Sequence, residues 1–440
     1  MFSNLLPTIS PTILAIFLFI STYLVIMTEK INRAIMALIG ASLMILCGIL
    51  TQEAAIRSVD FNTLGLLLGM MVIVNITKRS GIFEYIAILA IQKVRGHPVG
   101  ILIILFFVTA VFSALLDNVT TVLLIVPVTL SIAKQLQMNP YPYLFSEIFA
   151  SNIGGTATLI GDPPNIMIGS AAGLNFNDFV FALTPIALVI AFLTLFPIFF
   201  IWRKRYQVKE SAKLSIMKLN AKESITNLCL LKQSLTVIFG VITGFTVAHS
   251  LHLEPATIAI FGAAILLLLD NFKRNPEQQA TNVHHIFGEA EWVTLFFFLG
   301  LFILVHGIEK VGIIKWLATE LLTLTHGDLK MTALLILWGS AILSALIDNI
   351  PYVATMIPLI KSMQGTFTEA QLLPIWWALA LGACLGGNGS LIGASANLVV
   401  AGLAERQGHR FYFLSFLKLA FPLMLLSILC CHIYLEFRYF

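Results

Sequence analysis

The stretch Ser113-Ala-Leu-Leu-Asp-Asn-Val-Thr-Thr-Val-Leu-Leu-Ile-Val-Pro127 returns later in the chain as Ser344-Ala-Leu-Ile-Asp-Asn-Ile-Pro-Tyr-Val-Ala-Thr-Met-Ile-Pro358. Seven of the 15 positions are identical. A second stretch, Gly154-Gly-Thr-Ala-Thr-Leu-Ile-Gly-Asp-Pro-Pro-Asn165, returns as Gly386-Gly-Asn-Gly-Ser-Leu-Ile-Gly-Ala-Ser-Ala-Asn397, with six of 12 identical. The offsets are 231 and 232, so the distance between the two motifs is nearly the same in both copies. Self-similarity at a fixed offset means two copies of one structural unit. What repeats is polar and helix-breaking, whereas packing alone would favour repeated apolar faces.

The surroundings of these motifs are apolar. Of 440 residues, 58% are hydrophobic and 11% are charged, and the mean hydropathy is +0.94. A soluble domain carries roughly 25% charged residues. So little charge cannot cover a water-soluble fold of this size, which excludes a soluble enzyme and a disordered chain. The net charge is only +4, and the basic residues form short clusters between apolar runs. That offers no basic face for phosphates and excludes a nucleic-acid reader. The runs are unbroken and about 20 residues long, unlike the alternating strands of an outer-membrane barrel. The expected class is an all-α polytopic membrane protein.

Runs of spanning length lie at 10–28, 31–51, 61–77, 143–171, 178–202, 234–251, 254–271, 291–308, 374–402 and 411–436. Those at 143–171 and 374–402 are interrupted by the second motif. Two pairs of runs, 99–116 with 119–136 and 331–347 with 350–363, surround the first motif. Amphipathic pieces at 82–95 and 312–325 look interfacial. Ten runs give five crossings per half, an odd number, so the second half is expected upside down relative to the first. Inverted repeats of this kind recur in secondary transporters. The expected organisation is a first repeat over 1–203 (hairpin 99–136, broken helix 143–171), a basic linker over 204–233, and a second repeat over 234–440 (hairpin 331–363, broken helix 374–402).

Charge placement agrees. With the N-terminus outside, 20 of the 26 Lys and Arg residues fall inside and six outside. Among the inside ones are Lys30, Arg33, Lys78, Arg79 and the basic residues of the 203–232 loop. Basic residues near spans stay cytoplasmic, so both termini are expected outside and the loop inside, where it can also touch anionic headgroups. Met1 to Thr12 carries no charge, which suits a retained first helix better than a cleaved signal. Cys47, Cys229, Cys384, Cys430 and Cys431 show no disulfide, zinc or redox spacing and are expected to be small apolar packers.

The chemistry sits in the repeated motifs. Asp117-Asn118 and Asp348-Asn349 interrupt apolar runs. A carboxylate at a helix centre in the bilayer costs about 2.5–3.5 kcal/mol on insertion scales. It persists where it faces a cavity, a partner or an ion. Each pair is then either the tip of a re-entrant hairpin at the midplane or a cap on the turn between two complete spans. In the second motif, Asn152, Gly154, Gly155, Thr156, Thr158, Gly161, Asp162 and Asn165 stand around a helix break that Pro163 and Pro164 enforce. Its counterpart carries Asn388, Gly389, Ser390, Gly393, Ser395 and Asn397. Freed backbone at membrane depth is tolerated only where it lines protein or water. Half-helix N-termini favour anions, and unwound carbonyls, hydroxyls and amide oxygens suit small cations. Asp162 has no mate in the second half. It reads as a proton carrier or, preferably, as the cap of the half-helix that begins at Pro163. His249, His306, Glu309 and Asp270 read as interfacial, and Phe296, Phe297 and Phe298 as core or lipid-facing.

At these motifs the sequence resembles the ion transporter superfamily of arsenite permeases, NhaD-type sodium/proton antiporters, citrate carriers and divalent-anion/sodium symporters. It is most similar to the branch of the melanosomal P-protein, through 117–129, 151–170, 344–358 and 381–408. The likeness covers most of 60–435. It implies that hairpin tips and broken helices meet at the midplane between a scaffold and a mobile transport domain, and that the protein is a homodimer. Carboxylate-carrying relatives have Ser-Asn-Thr at each tip, where sodium binds. Here Asp117-Asn118-Val119 and Asp348-Asn349-Ile350 stand instead. A carboxylate at each tip repels a dianion unless it is protonated or ion-paired, and suits a proton or sodium.

The expected protein is therefore a multi-pass inner-membrane secondary transporter working by alternating access. The expected substrate is a small anion or oxyanion, moved with a coupling cation; the alternative is sodium/proton antiport. No cofactor beyond a coupling proton or sodium is expected. No nucleophile–base set, metal-ligand spacing or phosphate-binding Gly-x-x-x-x-Gly-Lys loop points to an enzyme.

Overall fold

A computed structural model describes residues 10–28, 30–202, 217 and 220–440, without the side chain of His249. The first nine residues, most of the 203–232 loop and the His249 side chain therefore lie outside the described residues. Among the described residues the chain folds into twenty α-helices, and nine helices are long and apolar enough to cross a membrane.

In chain order the first half holds α1 (Pro11–Met27), α2 (Arg33–Leu46), α3 (Gln52–Arg57), α4 (Phe61–Lys78), α5 (Ile82–Lys93), α6 (Pro98–Leu115), α7 (Asn118–Gln135), α8 (Tyr141–Thr156), α9 (Pro163–Ala172) and α10 (Phe176–Trp202). The second holds α11 (Leu228–Val247), α12 (Pro255–Asn271), α13 (Pro276–Gly288), α14 (Trp292–Lys310), α15 (Ile313–Leu324), α16 (Leu329–Leu346), α17 (Asn349–Lys361), α18 (Glu369–Gly386), α19 (Ser395–Arg406) and α20 (Phe413–Tyr439). The order repeats element by element. The short helices α5 and α15 each have 12 residues and follow a left-handed glycine, Gly81 (φ 78°) or Gly312 (φ 87°). Both closing helices, α10 and α20, have 27 residues.

Local chemistry sets the boundaries. Pro11, Pro98, Pro255 and Pro276 open helices where a missing N–H costs nothing. Asn32, Asp60, Asn227 and Asp328 cap their helices through side-chain oxygens. The run at 31–51 is a correction. Helix α2 has only 14 residues and ends at Cys47, because Gly48 (φ 76°) turns the chain and Thr51 caps α3. At 1.5 Å per residue it is about 21 Å long, and the six-residue α3 follows the turn. The polar helix α13 has no counterpart among the expected spans.

Contacts are reciprocal between the two halves. Helix α2 packs on α14 as α4 packs on α12, and α7 meets α19 as α9 meets α17. Each hairpin lies along its own broken helix, α6 on α8 and α16 on α18. The close approach of α2 to α14 depends on Gly300, whose added Cβ would lie 2.6 Å from the Ala37 backbone. The described part of the linker is tied to the start of α5: Thr226 N–H donates to Ser80 O at 3.1 Å. Phe297 and Phe298 are buried and Phe296 is exposed, as expected for core and lipid-facing positions. Asp270 is no free interfacial acid. Arg79 at 3.5 Å and Arg274 at 3.2 Å pair with its buried carboxylate.

Candidate functional site

The two helix breaks are built alike. Ser113 Oγ donates to Ser151 O and Ser344 Oγ to Ala383 O, tying each hairpin to its broken helix. Thr158 Oγ1 donates to Ala114 O at 2.6 Å, and Ser390 Oγ to Ala345 O at 2.5 Å. Within each break one asparagine collects the carbonyls the helix ladder has released. Asn165 Nδ2 donates to the carbonyls of Gly155, Thr156 and Thr158, and Asn397 Nδ2 to those of Gly387 and Ser390. Those carbonyls are thus already engaged by an amide. Gly161 and Gly393 let the unwound chain cross its own helix. A Cβ would lie 2.7 Å from Gly155 O at the first and 2.7 Å from Gly387 O at the second. Gly154, Gly155 and Gly389 are likewise packed against neighbours, and Thr156 Oγ1 bonds back to Asn152 O.

The tips meet these breaks. Asn118 Nδ2 donates to Asn152 Oδ1 at 3.2 Å. Asn152 Nδ2 donates at 3.0 Å to Asn388 Oδ1 and at 3.0 Å to Asn397 Oδ1. From the other hairpin, Asn349 Nδ2 donates to both oxygens of Asp162, at 3.4 and 3.3 Å. Asn118 and Asn349 are 2% exposed, and Asn152, Asp162, Asn388 and Asn397 are 0%. Asn118 Oδ1 and Asn388 Nδ2 have no partner. Buried polar atoms without partners are costly, and this cluster keeps one free acceptor and one free donor.

The tip carboxylates differ from one another. Asp117 caps α7, accepting from the Thr120 N–H at 2.8 Å and from the Thr120 hydroxyl. Asp348 caps α17 and accepts from Ile350 N–H, but it also pairs with Arg33 at 2.9 Å and accepts from Ser395 Oγ at 2.6 Å. Each tip carboxylate thus caps the helix that follows it, and Asp348 also bonds outside its own hairpin. For Asp162 the preferred cap role needs correction. It occupies the N-cap position of α9, but its side chain makes no capping bond. Pro163 and Pro164 offer no N–H, and the carboxylate turns instead to Asn349.

Sequence reasoning missed four groups. Arg33 was counted only as a cytoplasmic charge. Glu147 on α8 is fully buried, with Thr129 Oγ1 donating to one oxygen at 2.5 Å and the other unpartnered. A lone acid in Tyr141-Pro-Tyr-Leu-Phe-Ser-Glu-Ile-Phe149 was the available signal. Cys384 takes the place of Asn152 in the second repeat and donates to Asn165 Oδ1 at 3.4 Å. Glu291, Arg33, Val119, Asp348 and Ser395 line a cavity of about 300 Å³ beside the tips. Cys229 departs from the apolar-packer reading, being exposed. Among the described residues no three His, Cys, Asp or Glu side chains group to hold a metal.

Apolar helices of spanning length and polar breaks that close on a buried cluster define a multi-pass membrane transporter. Residues 23–382 match the citrate transporter (CitMHS) family, and the chain belongs to it, within the ion transporter superfamily that the motifs resemble. An uncharacterized transporter of Mycobacterium tuberculosis is 40% identical over 98% of this chain and 99% of its own length. The human P protein is 32% identical over 96% of this chain and 58% of its own length. The crystal structure of the YdaH transporter of Alcanivorax borkumensis shares the fold, with a TM-score of 0.57 at 13% identity, covering 97% of this chain and 98% of that one.

Proposed function

We propose that this secondary transporter is driven by a cation, proton or sodium, bound where the tips meet the breaks. Asp117, Asn118, Asp162, Asp348 and Asn349 bind it, and Asn152, Asn388 and Asn397 form the floor. The carrying observation is the Asp162 carboxylate, 0% exposed, which faces the Asn349 amide with no basic side chain among the described residues paired to it. A charge so placed needs a counter-ion or a proton.

Of the two transport readings, sodium/proton exchange has the stronger support. Asp117, Asp162, Asp348 and Glu291 lie in or around the cluster, and Arg33 is the basic residue lining the adjoining cavity. The α9 terminus, opened by two prolines behind a carboxylate, is a poor anion site. The second reading, movement of a small anion or oxyanion, is favoured by Arg33 and by the citrate named in the family description. In either reading the halves are inverted repeats about the cluster. The protein is a homodimer in the inner membrane, with both termini outside and the 203–232 loop cytoplasmic.

Liposomes with a trapped pH dye decide between the two. A sodium pulse with only an impermeant counter-ion should alkalinise or acidify the lumen. Silence to every alkali cation, combined with flux that requires citrate or an oxyanion such as arsenite, would move the assignment to the second reading.

A further inference from the structure

The two hairpin tips are not equivalent, although their sequences repeat. Asp117 is bonded within its own tip, by the Thr120 N–H and hydroxyl. Asp348 receives a guanidinium from outside its own repeat. Arg33 Nη1 lies 2.9 Å from Asp348 Oδ2 and 2.5 Å from Ser395 Oγ, and Ser395 Oγ donates to the same carboxylate oxygen. The three form a closed triangle of one cation, one carboxylate and one hydroxyl. Arg33 is planted in the helix pair opposite the tip. It sits in the first turn of α2, which Asn32 caps, and its guanidinium lies 5.1 Å from the centroid of the Phe297 ring on α14. Beside it, Tyr23 OH on α1 donates to Pro351 O of α17 at 2.9 Å. Helices α1 and α2 thus hold the second tip at two points. The pair is still reachable: the side chains are 26% and 13% exposed, and both line the 300 Å³ cavity.

We propose that the Arg33 guanidinium is a tethered counter-ion for Asp348, occupying the position of a coupling cation while the carrier is empty. This rests on the cation-driven reading above. A tip that carries an unpaired carboxylate through the protein interior meets a large desolvation cost, and a fixed guanidinium removes it. A proton or sodium arriving through the cavity competes with Arg33 for the carboxylate. Binding frees the tip from α2, and release restores the pair. The other charged groups facing Asp348 are Glu291 at the start of α14 and Asp162 at the start of α9, with Asp117 beyond. All three are acidic, so only Arg33 supplies the balancing charge among the described residues.

The test compares full-length wild type, Arg33→Gln, Asp348→Asn and the double variant. Melting in detergent is followed against sodium, with choline as control, and against pH. Ligands that bind the folded state raise its melting temperature by mass action. Arg33→Gln should gain a response to sodium or to acidification that wild type lacks, with apparent cation affinity up by about tenfold. The double variant should lose that gain. In liposomes, Arg33→Gln should keep tracer sodium exchange at equal concentrations and lose most net flux, which needs the empty carrier to return. An Arg33→Gln protein with wild-type sodium and pH responses, or one that loses exchange and net flux equally, overturns the proposal. If Arg33→Gln does not accumulate, the uncharged double variant must, and its failure marks the pair as a structural bridge alone. If the melting responses appear while wild type moves no cation, the counter-ion stands and the transport reading falls.

Discussion

Replacing Asn152 by alanine is the sharpest perturbation of the cluster. Asn152 is the residue through which the first tip reaches the second break: it accepts from Asn118 and donates to Asn388 and Asn397. The substitution deletes three hydrogen bonds at a site with 0% exposure. A hydrogen bond contributes about 0.5–1.5 kcal/mol net, and each orphaned buried group costs about 1–3 kcal/mol. Asn397 keeps its Nδ2 bonds to Gly387 and Ser390, and water admitted to the space recovers part of the remainder. The expected loss is about 3 kcal/mol, a fall of several degrees in the melting temperature of the detergent-purified protein. Transport should fall much further than stability, because the floor of the site is gone. Asn388→Ala should lose less, and the double variant should fall short of the sum, since both changes break the same bond. A matching change at Thr156, whose hydroxyl bonds back to Asn152 O in its own helix, should cost less, about 1 kcal/mol. Wild-type melting and transport in Asn152→Ala would show that the asparagine chain does not join the halves.

Gly161→Ala and Gly393→Ala each drive a Cβ to within 2.6 or 2.7 Å of a backbone carbonyl and should destabilise by about 2–3 kcal/mol. Gly402→Ala, with nothing within 4 Å inside α19, should stabilise by about 0.5–1 kcal/mol, and thermal melts of all three check both signs. Glu147→Gln keeps the shape and the Thr129 contact without a buried charge, so it should melt like wild type; Glu147→Ala should lose about 2 kcal/mol through the cavity it leaves. A membrane-impermeant thiol reagent should label exposed Cys229 and leave buried Cys384 unmodified in the folded protein; labelling of Cys384 at a comparable rate, read by mass spectrometry, would contradict the closed packing around Asn165.

The repeated motifs made the fold legible. Asp117-Asn118 and Asp348-Asn349 announce the tips, and Gly161-Asp162-Pro163-Pro164 announces a break, because Pro and Gly have few backbone options in a helix. Short-range chemistry of this kind is written in neighbouring residues. What could not be read was pairing at long range. Nothing around Arg33 distinguishes it from the other basic residues near span ends, and its partner Asp348 lies 315 positions away. The site asparagines were found by type, yet their duties differ: Asn165 and Asn397 tie off released carbonyls, while Asn118 and Asn388 keep an atom free. Only the fold separates a staple from a ligand. Asp162 was placed correctly at a helix start but given the wrong bond, because the Asn349 amide that claims it belongs to the other repeat.

Sodium-driven proton flux in liposomes, measured for wild type, Asp162→Asn, Asn349→Ala and the double variant, tests most directly whether both repeats build one cation site. One shared site predicts flux in wild type, its near-complete loss in each single variant, and no further loss in the double, because residues acting as a unit do not add. Wild-type rates in either single variant, or two partial losses that multiply, would contradict it.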